Sequence, residues 1–228
     1  MSNTATKNKG KNPYGNKRPF KNPGTNINPL IIKISALVLL LATVVLIIFA
    51  CAGSKVKYVE MTVENYGTII LKIDMKAAPI TAKNFIKLVK RDFYDGLSFH
   101  RVIDDFMIQG GDPKGNGTGS SNKTIKGEFL TNGYDNPIRI ERGVIAMARG
   151  NDPDSASCQF FICNASSYNT LALNGYYASF GYVVEGMDVV DKITEKTAPY
   201  GDGNGMIYDE SKRAVITEIK IINYKESK

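Results

Sequence analysis

The sequence is poor in the residues that metal sites and nucleophilic catalysis require. It has one histidine and three cysteines, and no two cysteines follow a Cys-x-x-Cys spacing. A structural zinc site takes about four such ligands, so the composition disfavours one. The single histidine, His100, lies in a strand-like run, and no Gly-x-Ser-x-Gly or papain-like cysteine motif accompanies it. We therefore expect His100 to be a packed structural residue rather than a general base.

Two of the three cysteines, Cys158 and Cys163, lie five positions apart in one strand-like run. Side chains alternate between the two faces of a strand, so these two should point to opposite faces. That arrangement disfavours a disulfide bond between them. We interpret both as small buried side chains.

Acidic residues are absent from the first 33 positions, which carry seven basic side chains. Without these seven, the remaining sequence has 22 basic and 22 acidic residues. A nucleic-acid-binding domain concentrates basic charge on its folded part. The neutral balance of the remaining sequence therefore argues against nucleic acid as its partner.

Residues 1–29 are rich in Asn, Lys, Pro and Gly, which predicts a disordered basic tail. An apolar segment follows at 30–52, and its uninterrupted part, residues 34–52, is 19 residues long. About 20 apolar residues cross a bilayer as a helix. Because basic residues stay on the cytoplasmic side, we predict a single-pass transmembrane signal anchor with a cytoplasmic N-terminus. A linker at 53–57 and a domain at 58–228 would then lie outside the cell membrane.

A lipid anchor at Cys51 is the alternative form of membrane attachment. Ile48-Phe49-Ala50-Cys51 resembles the lipobox of bacterial lipoproteins, in which the cysteine becomes lipidated. Phe49 is bulky for its position, and 29 residues before the apolar run are many for a cleavable signal. We therefore favour the signal anchor. Both forms place the domain on the outer face of the membrane.

From Tyr58 onward, short strand patterns dominate. Alternating β-branched runs at 58–63 and 68–73 predict a hairpin, and Pro79 opens an amphipathic pattern that predicts a helix. A short helix pattern begins at Gly186. The other strand-like segments are 97–102, 106–109, 143–148, 158–163, 179–184 and 214–222. Many short strands with few helices indicate an all-β barrel or sandwich.

The glycine-rich stretch 110–121 does not match a phosphate-binding loop. It lacks the Gly-x-x-x-x-Gly-Lys-Ser/Thr order, and no helix pattern follows it. We interpret it as a flexible loop that borders a site.

The remaining candidates for a functional site are one arginine and one glutamine, Arg101 and Gln109, among the apolar side chains Phe106, Met107 and Phe161. This combination suits a shallow apolar pocket with a fixed cation at its rim.

These residues and their order resemble the cyclophilin family of peptidyl-prolyl cis–trans isomerases. The resemblance extends from about Tyr58 to the C-terminus, and the style of the loops at 142–148 and 174–178 is similar to the bacterial branch. It is carried by Pro79–Phe85, Phe99-His100-Arg101, Phe106–Asp112, Asn116-Gly117-Thr118-Gly119, Gly127-Glu128-Phe129, Gly143–Ala148, Gln159–Cys163, Leu173-Asn174-Gly175, Phe180-Gly181 and Glu185-Gly186-Met187.

The resemblance implies a closed eight-stranded antiparallel barrel capped by two helices. It also implies that Arg101 directs its guanidinium at the prolyl nitrogen, and that Gln109 orients the arginine and the substrate. The backbone at Arg149 should hold the carbonyl before the proline, and Tyr177 should edge the pocket. The other implied substrate-binding residues are Phe106, Met107, Phe161 and Leu173, which line the proline pocket, together with Gly117, Ala148 and Gln159. Phe106 shares the catalytic role of Arg101 and Gln109. No cofactor is implied, and we expect a monomer.

Three positions depart from the family pattern. Cys158 replaces a common serine, which should preserve the strand. Arg149 replaces a frequent asparagine at a contact made through the backbone, so activity should survive. Ala172 lies where many members carry an aromatic residue that grips cyclosporin, so binding of that drug should be weak.

We predict that the chain accelerates isomerisation of X-Pro bonds in exported or cell-surface proteins and so assists their folding. Uncatalysed isomerisation takes tens of seconds or more, which is slow enough to limit folding. The alternative is a non-catalytic proline-peptide binder or holdase that uses the same groove. Arg101 argues against it, because a pure binder has no need of the arginine. A third interpretation assigns the function to the basic tail, which would engage anionic lipids or a cytoplasmic partner.

Overall fold

The structure, a computed structural model, describes residues 28, 30–35, 38–41, 43 and 55–226. The chain divides into two units, Met1–Gly53 and Ser54–Lys228. In the first unit, residues 30–35, 38–41 and 43 are helical. The rest of the predicted span 30–52, including Cys51, and the predicted tail apart from Asn28 lie outside the described residues. None of the helical segments in the described part of the chain combines the length and the apolar character that a membrane span requires.

The second unit is built on one antiparallel sheet that curls into a nearly closed barrel, which confirms the predicted all-β class. The first and last strands along the chain are neighbours, in the order β3-β9-β1-β2-β8-β6-β7-β5-β4. The strands are β1 (Val56–Val63), β2 (Gly67–Asp74), β3 (Ser98–Phe99), β4 (Arg101–Ile103), β5 (Met107–Gly110), β6 (Val144–Met147), β7 (Phe160–Cys163), β8 (Ser179–Glu185) and β9 (Ala214–Ile222).

The expected count of eight strands is wrong by one, because the chain changes partners at His100. Before this residue β3 pairs with β9, and after it β4 pairs with β5. The backbone N–H of His100 donates to Gln109 O at 3.1 Å, and its carbonyl accepts from Ile207 N at 2.9 Å. One residue therefore joins the two ends of the sheet, and residues 98–103 form one bent strand in two pieces.

The hairpin predicted at 58–63 and 68–73 is present as β1 and β2, with Val63 opposite Gly67. Val59, Met61 and Val63 are buried, and the residues between them are partly exposed. The alternation that predicted the strand is thus the alternation between the core and the outer face. Gly67 has a φ of +123°, which an L side chain rarely adopts, so glycine is required where β2 begins.

Two long helices and one short helix pack around the barrel. They are α1 (Pro79–Val89), α2 (Tyr168–Leu171) and α3 (Met187–Thr197). The helices predicted after Pro79 and from Gly186 are confirmed as α1 and α3. The sequence patterns did not indicate α2, a single turn whose N-cap is Ser167. Within residues 55–226, three 3-10 turns complete the described elements, at Leu130–Asn132, Ala198–Tyr200 and Glu210–Lys212.

The N-terminus of α1 is capped from a distant part of the chain. The residue before it, Ala78, offers no side-chain cap. The carboxylate of Glu128 instead accepts from the N–H groups of Ile80 at 3.0 Å and Thr81 at 2.8 Å. Glu128 is only 2% exposed. The first N–H groups of a helix have no intrahelical partner and carry partial positive charge, so a buried carboxylate is stabilised there.

The sheet separates two apolar clusters. Phe160 and Ile162 of β7 belong to the main cluster, whereas Phe161 and Cys163 belong to the second. The neighbouring strand β6 divides its side chains in the same way. Phe160 and Phe161 therefore face opposite sides of the sheet, as alternation along a strand requires. Cys158 lies in the main cluster and Cys163 in the second, and both are free.

Candidate active site

Arg101 and Gln109 lie opposite each other on β4 and β5. The two strands are joined by residues 104–106, where Asp105 adopts a φ of +56° and the chain reverses direction. Opposite side chains on antiparallel strands project to the same face. Nη1 of Arg101 accordingly donates to Oε1 of Gln109 at 3.3 Å.

A small open pocket lies beside this pair, on the side of the sheet that carries the second apolar cluster. Nine of the side chains predicted for the site line it: Arg101, Phe106, Met107, Gln109, Ala148, Arg149, Phe161, Leu173 and Tyr177. The other two, Gly117 and Gln159, are not part of the lining. The ring of Tyr177 stands edge-on to Phe161, with centroids 5.5 Å apart. The arrangement offers an apolar wall with guanidinium and amide groups at its border.

The guanidinium of Arg101 is held by several contacts. Its Nε donates to the carbonyl oxygen of Asn204 at 2.8 Å, in addition to the bond from Nη1 to Gln109. Its Cζ lies 6.0 Å from the centroid of the Phe106 ring. Burial lowers the pKa of Arg101 from its ordinary value. An arginine starts so far above neutrality that the group remains a cation at any ordinary pH.

Gln159 supports the pocket from behind its lining. Its Oε1 accepts from Nε2 of Gln109 at 3.0 Å. Its own Nε2 donates to the carbonyl oxygens of Gly117 at 3.1 Å and Gly119 at 2.9 Å. A continuous path of hydrogen bonds therefore leads from the 117–119 loop through two glutamines to Arg101.

A second guanidinium, that of Arg149, lies at the border of the pocket. Its Nε donates to Tyr176 O at 2.9 Å, and its Nη1 donates to Gly150 O at 2.8 Å. Its Cζ is 5.0 Å from the ring centroid of Tyr177 and 5.1 Å from that of Phe129. Such cation–π contacts favour a fixed position over the ring faces. Arg149 thus belongs to the pocket lining, and these contacts fix its guanidinium.

The glycine-rich stretch 110–121, predicted to be a loop, is tied to one buried carboxylate. The oxygens of Asp112 accept from the N–H groups of Lys114 at 2.8 Å, Asn116 at 3.1 Å and Gly117 at 2.6 Å. Burial alone would raise the pKa of Asp112, but hydrogen bonds from backbone N–H groups outweigh it and lower the pKa. The loop that Gln159 contacts is therefore anchored at its start.

His100 is buried next to the site but does not line the pocket. Neither of its ring nitrogens has a hydrogen-bond partner within the described ranges. Burial lowers its pKa, which favours the neutral ring. This placement agrees with the structural role expected from the sequence.

Sequence reasoning missed two residues that shape the site. Asn204 supplies the carbonyl that holds Arg101, and Phe129 supplies a ring under Arg149. Asn204 lies in Gly201-Asp202-Gly203-Asn204-Gly205, whose composition signals a turn. No local pattern indicates that this turn contacts the pocket.

Comparison with known proteins supports the assignment that this geometry suggests. The family model described as "Cyclophilin type peptidyl-prolyl cis-trans isomerase/CLD" matches residues 58–226. The chain belongs to the cyclophilin family. It is a cyclophilin-type peptidyl-prolyl cis–trans isomerase, the activity for which its relatives at about 41% identity are named.

Bacterial relatives of this cyclophilin cover most of the barrel unit. A peptidyl-prolyl cis-trans isomerase of Acinetobacter baylyi is 41% identical over 162 residues, which are 70% of this chain and 84% of the relative. Peptidyl-prolyl cis-trans isomerase B of Escherichia coli is 42% identical over 159 residues, 68% of this chain and 93% of the relative.

Among solved structures, a cyclophilin type peptidyl-prolyl cis-trans isomerase of Cryptosporidium parvum is similar. It has a TM-score of 0.63 at 27% identity and covers 75% of this chain and 99% of its own. A second structure of that protein, determined in the presence of the dipeptide Ala-Pro, has a TM-score of 0.62 at 27% identity.

Proposed function

We propose that Arg101 and the apolar wall beside it catalyse rotation about the X-Pro bond of a bound polypeptide. The observation that carries this proposal is the fixed guanidinium of Arg101, bonded to Gln109 and Asn204 at the border of an apolar pocket. The structure of the related Cryptosporidium protein in the presence of Ala-Pro supports a prolyl peptide as the ligand of this pocket.

The chemistry follows from the electronic structure of the amide. Rotation costs about 18–20 kcal/mol because the resonance of the peptide bond must be broken. In the twisted transition state the nitrogen regains its lone pair, and the carbonyl becomes less polar. An apolar wall disfavours the planar, more dipolar amide, and a guanidinium N–H close to the nitrogen stabilises the new lone pair. No proton is transferred, so no side chain has to act as a general acid or base.

The magnitudes assign a share to each part of the pocket. A millionfold acceleration requires about 8 kcal/mol, and one charge-assisted hydrogen bond contributes about 1.5–3 kcal/mol. Arg101 therefore supplies a minor part of the total. The remainder falls to the desolvated pocket, in which Phe106, Met107, Phe161 and Leu173 hold the proline ring.

The polar residues orient the peptide and Arg101 relative to each other. We assign Gln109 the orientation of Arg101 and of the substrate, and the backbone at Arg149 the carbonyl before the proline. Tyr177 closes one edge of the pocket. Gly117 and Gln159 act indirectly, because their contacts lead to Gln109 rather than to the pocket.

The alternative is a non-catalytic binder or holdase that uses the same groove. Isomerisation of an Ala-Pro peptide, followed by NMR exchange with the full-length protein, separates the two. We expect Arg101→Ala to reduce kcat/KM about ten- to 150-fold, the equivalent of one charge-assisted hydrogen bond. Peptide binding should survive the substitution. Binding by the wild type without any acceleration of exchange would favour the holdase.

We further propose that this isomerase serves exported or cell-surface proteins from a position on the outer face of the membrane. The proposal is supported by the apolar segment 34–52, by the seven basic residues that precede it, and by a short linker. The predicted linker 53–57 is shortened to residues 53–55, because β1 already begins at Val56. Three residues extend at most about 11 Å, so the barrel would remain near the bilayer.

Protease treatment of intact cells in which the outer face of the cell membrane is accessible to the protease tests this location. We expect the barrel unit to be digested and the N-terminal tail to be protected. The mass of the membrane-extracted protein then distinguishes the two forms of attachment, because lipidation would make Cys51 the first residue. Recovery of an intact, protected chain in the soluble fraction would contradict the proposal.

A further inference from the structure

The pocket carries an excess of positive charge that the isomerisation mechanism does not need. Its nine lining residues include two arginines and no carboxylate. Neither arginine forms an ion pair with a carboxylate among the residues that the structure describes. Arg142 and Arg213, which lie outside the lining, both do, with Asp191 and Glu210. Arg101 has a role at the prolyl nitrogen, which leaves the charge of Arg149 unexplained.

The side chain of Arg149 is fixed but retains unused donors. Its three hydrogen bonds, to Tyr176 O, Gly150 O and Asn151 O, come from Nε and Nη1 alone. Nη2 has no hydrogen-bond partner within the described part of the chain, although a guanidinium carries two N–H donors there. The rings of Phe129 and Tyr177 hold the planar group against two apolar surfaces. A fixed guanidinium with a free Nη2 suits the capture of a carboxylate.

We propose that Arg149 is a specificity-determining residue that favours substrates with an aspartate or glutamate directly before the proline. The proposal rests on the proposed function, in which the backbone of Arg149 holds the carbonyl of that preceding residue. A peptide residue that contacts the backbone of Arg149 brings its own side chain close to the Arg149 guanidinium. A carboxylate there gains a charged hydrogen bond, and a lysine there meets a second cation.

A structural role for Arg149 is the competing explanation. Its bonds to Tyr176 O and Asn151 O tie two loops together, and this brace would affect every substrate equally. A preference for a negative side chain over its neutral isostere is a different readout, because loosening the loops does not distinguish glutamate from glutamine. The test therefore compares two peptides within each protein variant.

The experiment uses full-length protein and the peptides Ala-Glu-Pro-Phe and Ala-Gln-Pro-Phe, with cis–trans exchange measured by NMR. We expect the wild type to favour the glutamate peptide about two- to fivefold in kcat/KM, as for a partly exposed ion pair. Arg149→Gln should bring this ratio close to one, and Arg149→Lys should retain part of it. Arg91→Gln removes an exposed arginine outside the pocket and is the matched control, so its ratio should equal that of the wild type.

Ionic strength provides a second, independent check. Raising the salt concentration from about 0.02 M to about 0.5 M should reduce the glutamate preference of the wild type, because a partly exposed charge pair is screened. Equal rates for the two peptides in the wild type overturn the proposal, as does a preference that Arg149→Gln leaves unchanged. If neither peptide is accelerated, the isomerase site fails instead. In that case the Kd values of the two peptides, measured on the same samples, replace the rates. Tighter binding of the glutamate peptide that Arg149→Gln abolishes supports the role of Arg149, and equal Kd values in the wild type overturn it.

Discussion

Arg101 is held by contacts from separate parts of the chain, and this explains how one mobile side chain becomes a fixed donor. Gln109 comes from the neighbouring strand, Asn204 from the loop before β9, and Phe106 from the turn after β4. A free arginine loses about 2 kcal/mol of rotamer entropy when it is ordered. In this protein the rotamer entropy of Arg101 is lost when the chain folds, so the substrate meets a guanidinium that is already in place.

Gln159 offers a test of this positioning because it touches Gln109 without lining the pocket. We expect Gln159→Leu to lower kcat/KM about two- to tenfold, the value of one neutral hydrogen bond, and to act mainly on kcat. Exchange spectroscopy on an Ala-Pro peptide gives the rates. Thr217→Ala removes a comparable hydrogen bond on β9, outside the pocket lining, and should leave the rates unchanged. Equal effects of the two substitutions would exclude a positioning role.

His100 predicts a specific dependence of stability on pH. Burial lowers its pKa in the folded protein, whereas the unfolded chain keeps a value near 6.5. Below about pH 6.5 the unfolded state therefore binds a proton that the folded state resists, and stability falls as the pH falls. Above that pH both states carry a neutral ring, and His100 contributes no pH dependence.

The measurement is the free energy of unfolding by urea from pH 7.5 down to 5. We expect His100→Gln to show a shallower loss than the wild type across this window, whatever its stability at pH 7.5. Parallel curves for the two proteins would show that His100 titrates normally when folded. The rate of isomerisation should stay flat across the same range, since Arg101 remains charged.

At the scale of elements, the structure relies on carboxylates that cap backbone segments from outside them. Glu128 caps α1 and Asp112 anchors the loop at 112–117. Both carboxylates are at most 2% exposed. The backbone N–H groups replace the water that each carboxylate would otherwise bind. Each buried carboxylate therefore fixes the conformation of the backbone segment that it contacts.

The cap on α1 is testable by two substitutions at one position. Glu128→Ala should destabilise the protein by about 1.5–3 kcal/mol, because two helix N–H groups lose a charged acceptor. Glu128→Gln keeps one acceptor oxygen and should fall between the alanine variant and the wild type. Urea unfolding monitored by far-UV circular dichroism gives the order. Glu195→Gln, at an exposed position of α3, is the control and should change little.

Elements whose side chains alternate regularly could be predicted, and those held by long-range polar contacts could not. The sequence predicts strand β9 at 214–222, where it is observed, and the predicted bounds of the hairpin agree with the structure to within two residues. The nine pocket residues were all in the set taken from the family resemblance. The contact of Asn204 with Arg101 spans 103 positions, and a turn composition says nothing about its distant partner. The split at His100 likewise depends on which strands pair, a property of the whole sheet.

At the scale of the molecule, the sheet has a packed apolar cluster on each of its two faces. The main cluster fills the barrel, and the second cluster supports the pocket on the other face. Cys158 and Cys163 report on these clusters separately, because each is buried in a different one. Burial raises the pKa of Cys158 to about 11 and that of Cys163 to about 12.

Thiol labelling should therefore follow global unfolding. In a full-length Cys51→Ser variant at pH 8, we expect neither thiol to react with a disulfide reagent, because the reactive thiolate is scarce and shielded. Both should react together as urea unfolds the barrel, which peptide mass mapping can follow. Labelling of Cys163 well before Cys158 would show that the second cluster opens by itself.

The pairing of β1 and β3 with β9 also has a consequence for the newly made chain. Every residue that lines the pocket precedes position 178, yet the strand that joins both of these partners begins only at Ala214. During synthesis the chain therefore carries its complete set of pocket side chains while the frame that holds them is still open. The barrel closes only after β9 has been synthesised, and a chain that stops before Ala214 has all the pocket residues but no closed barrel to hold them.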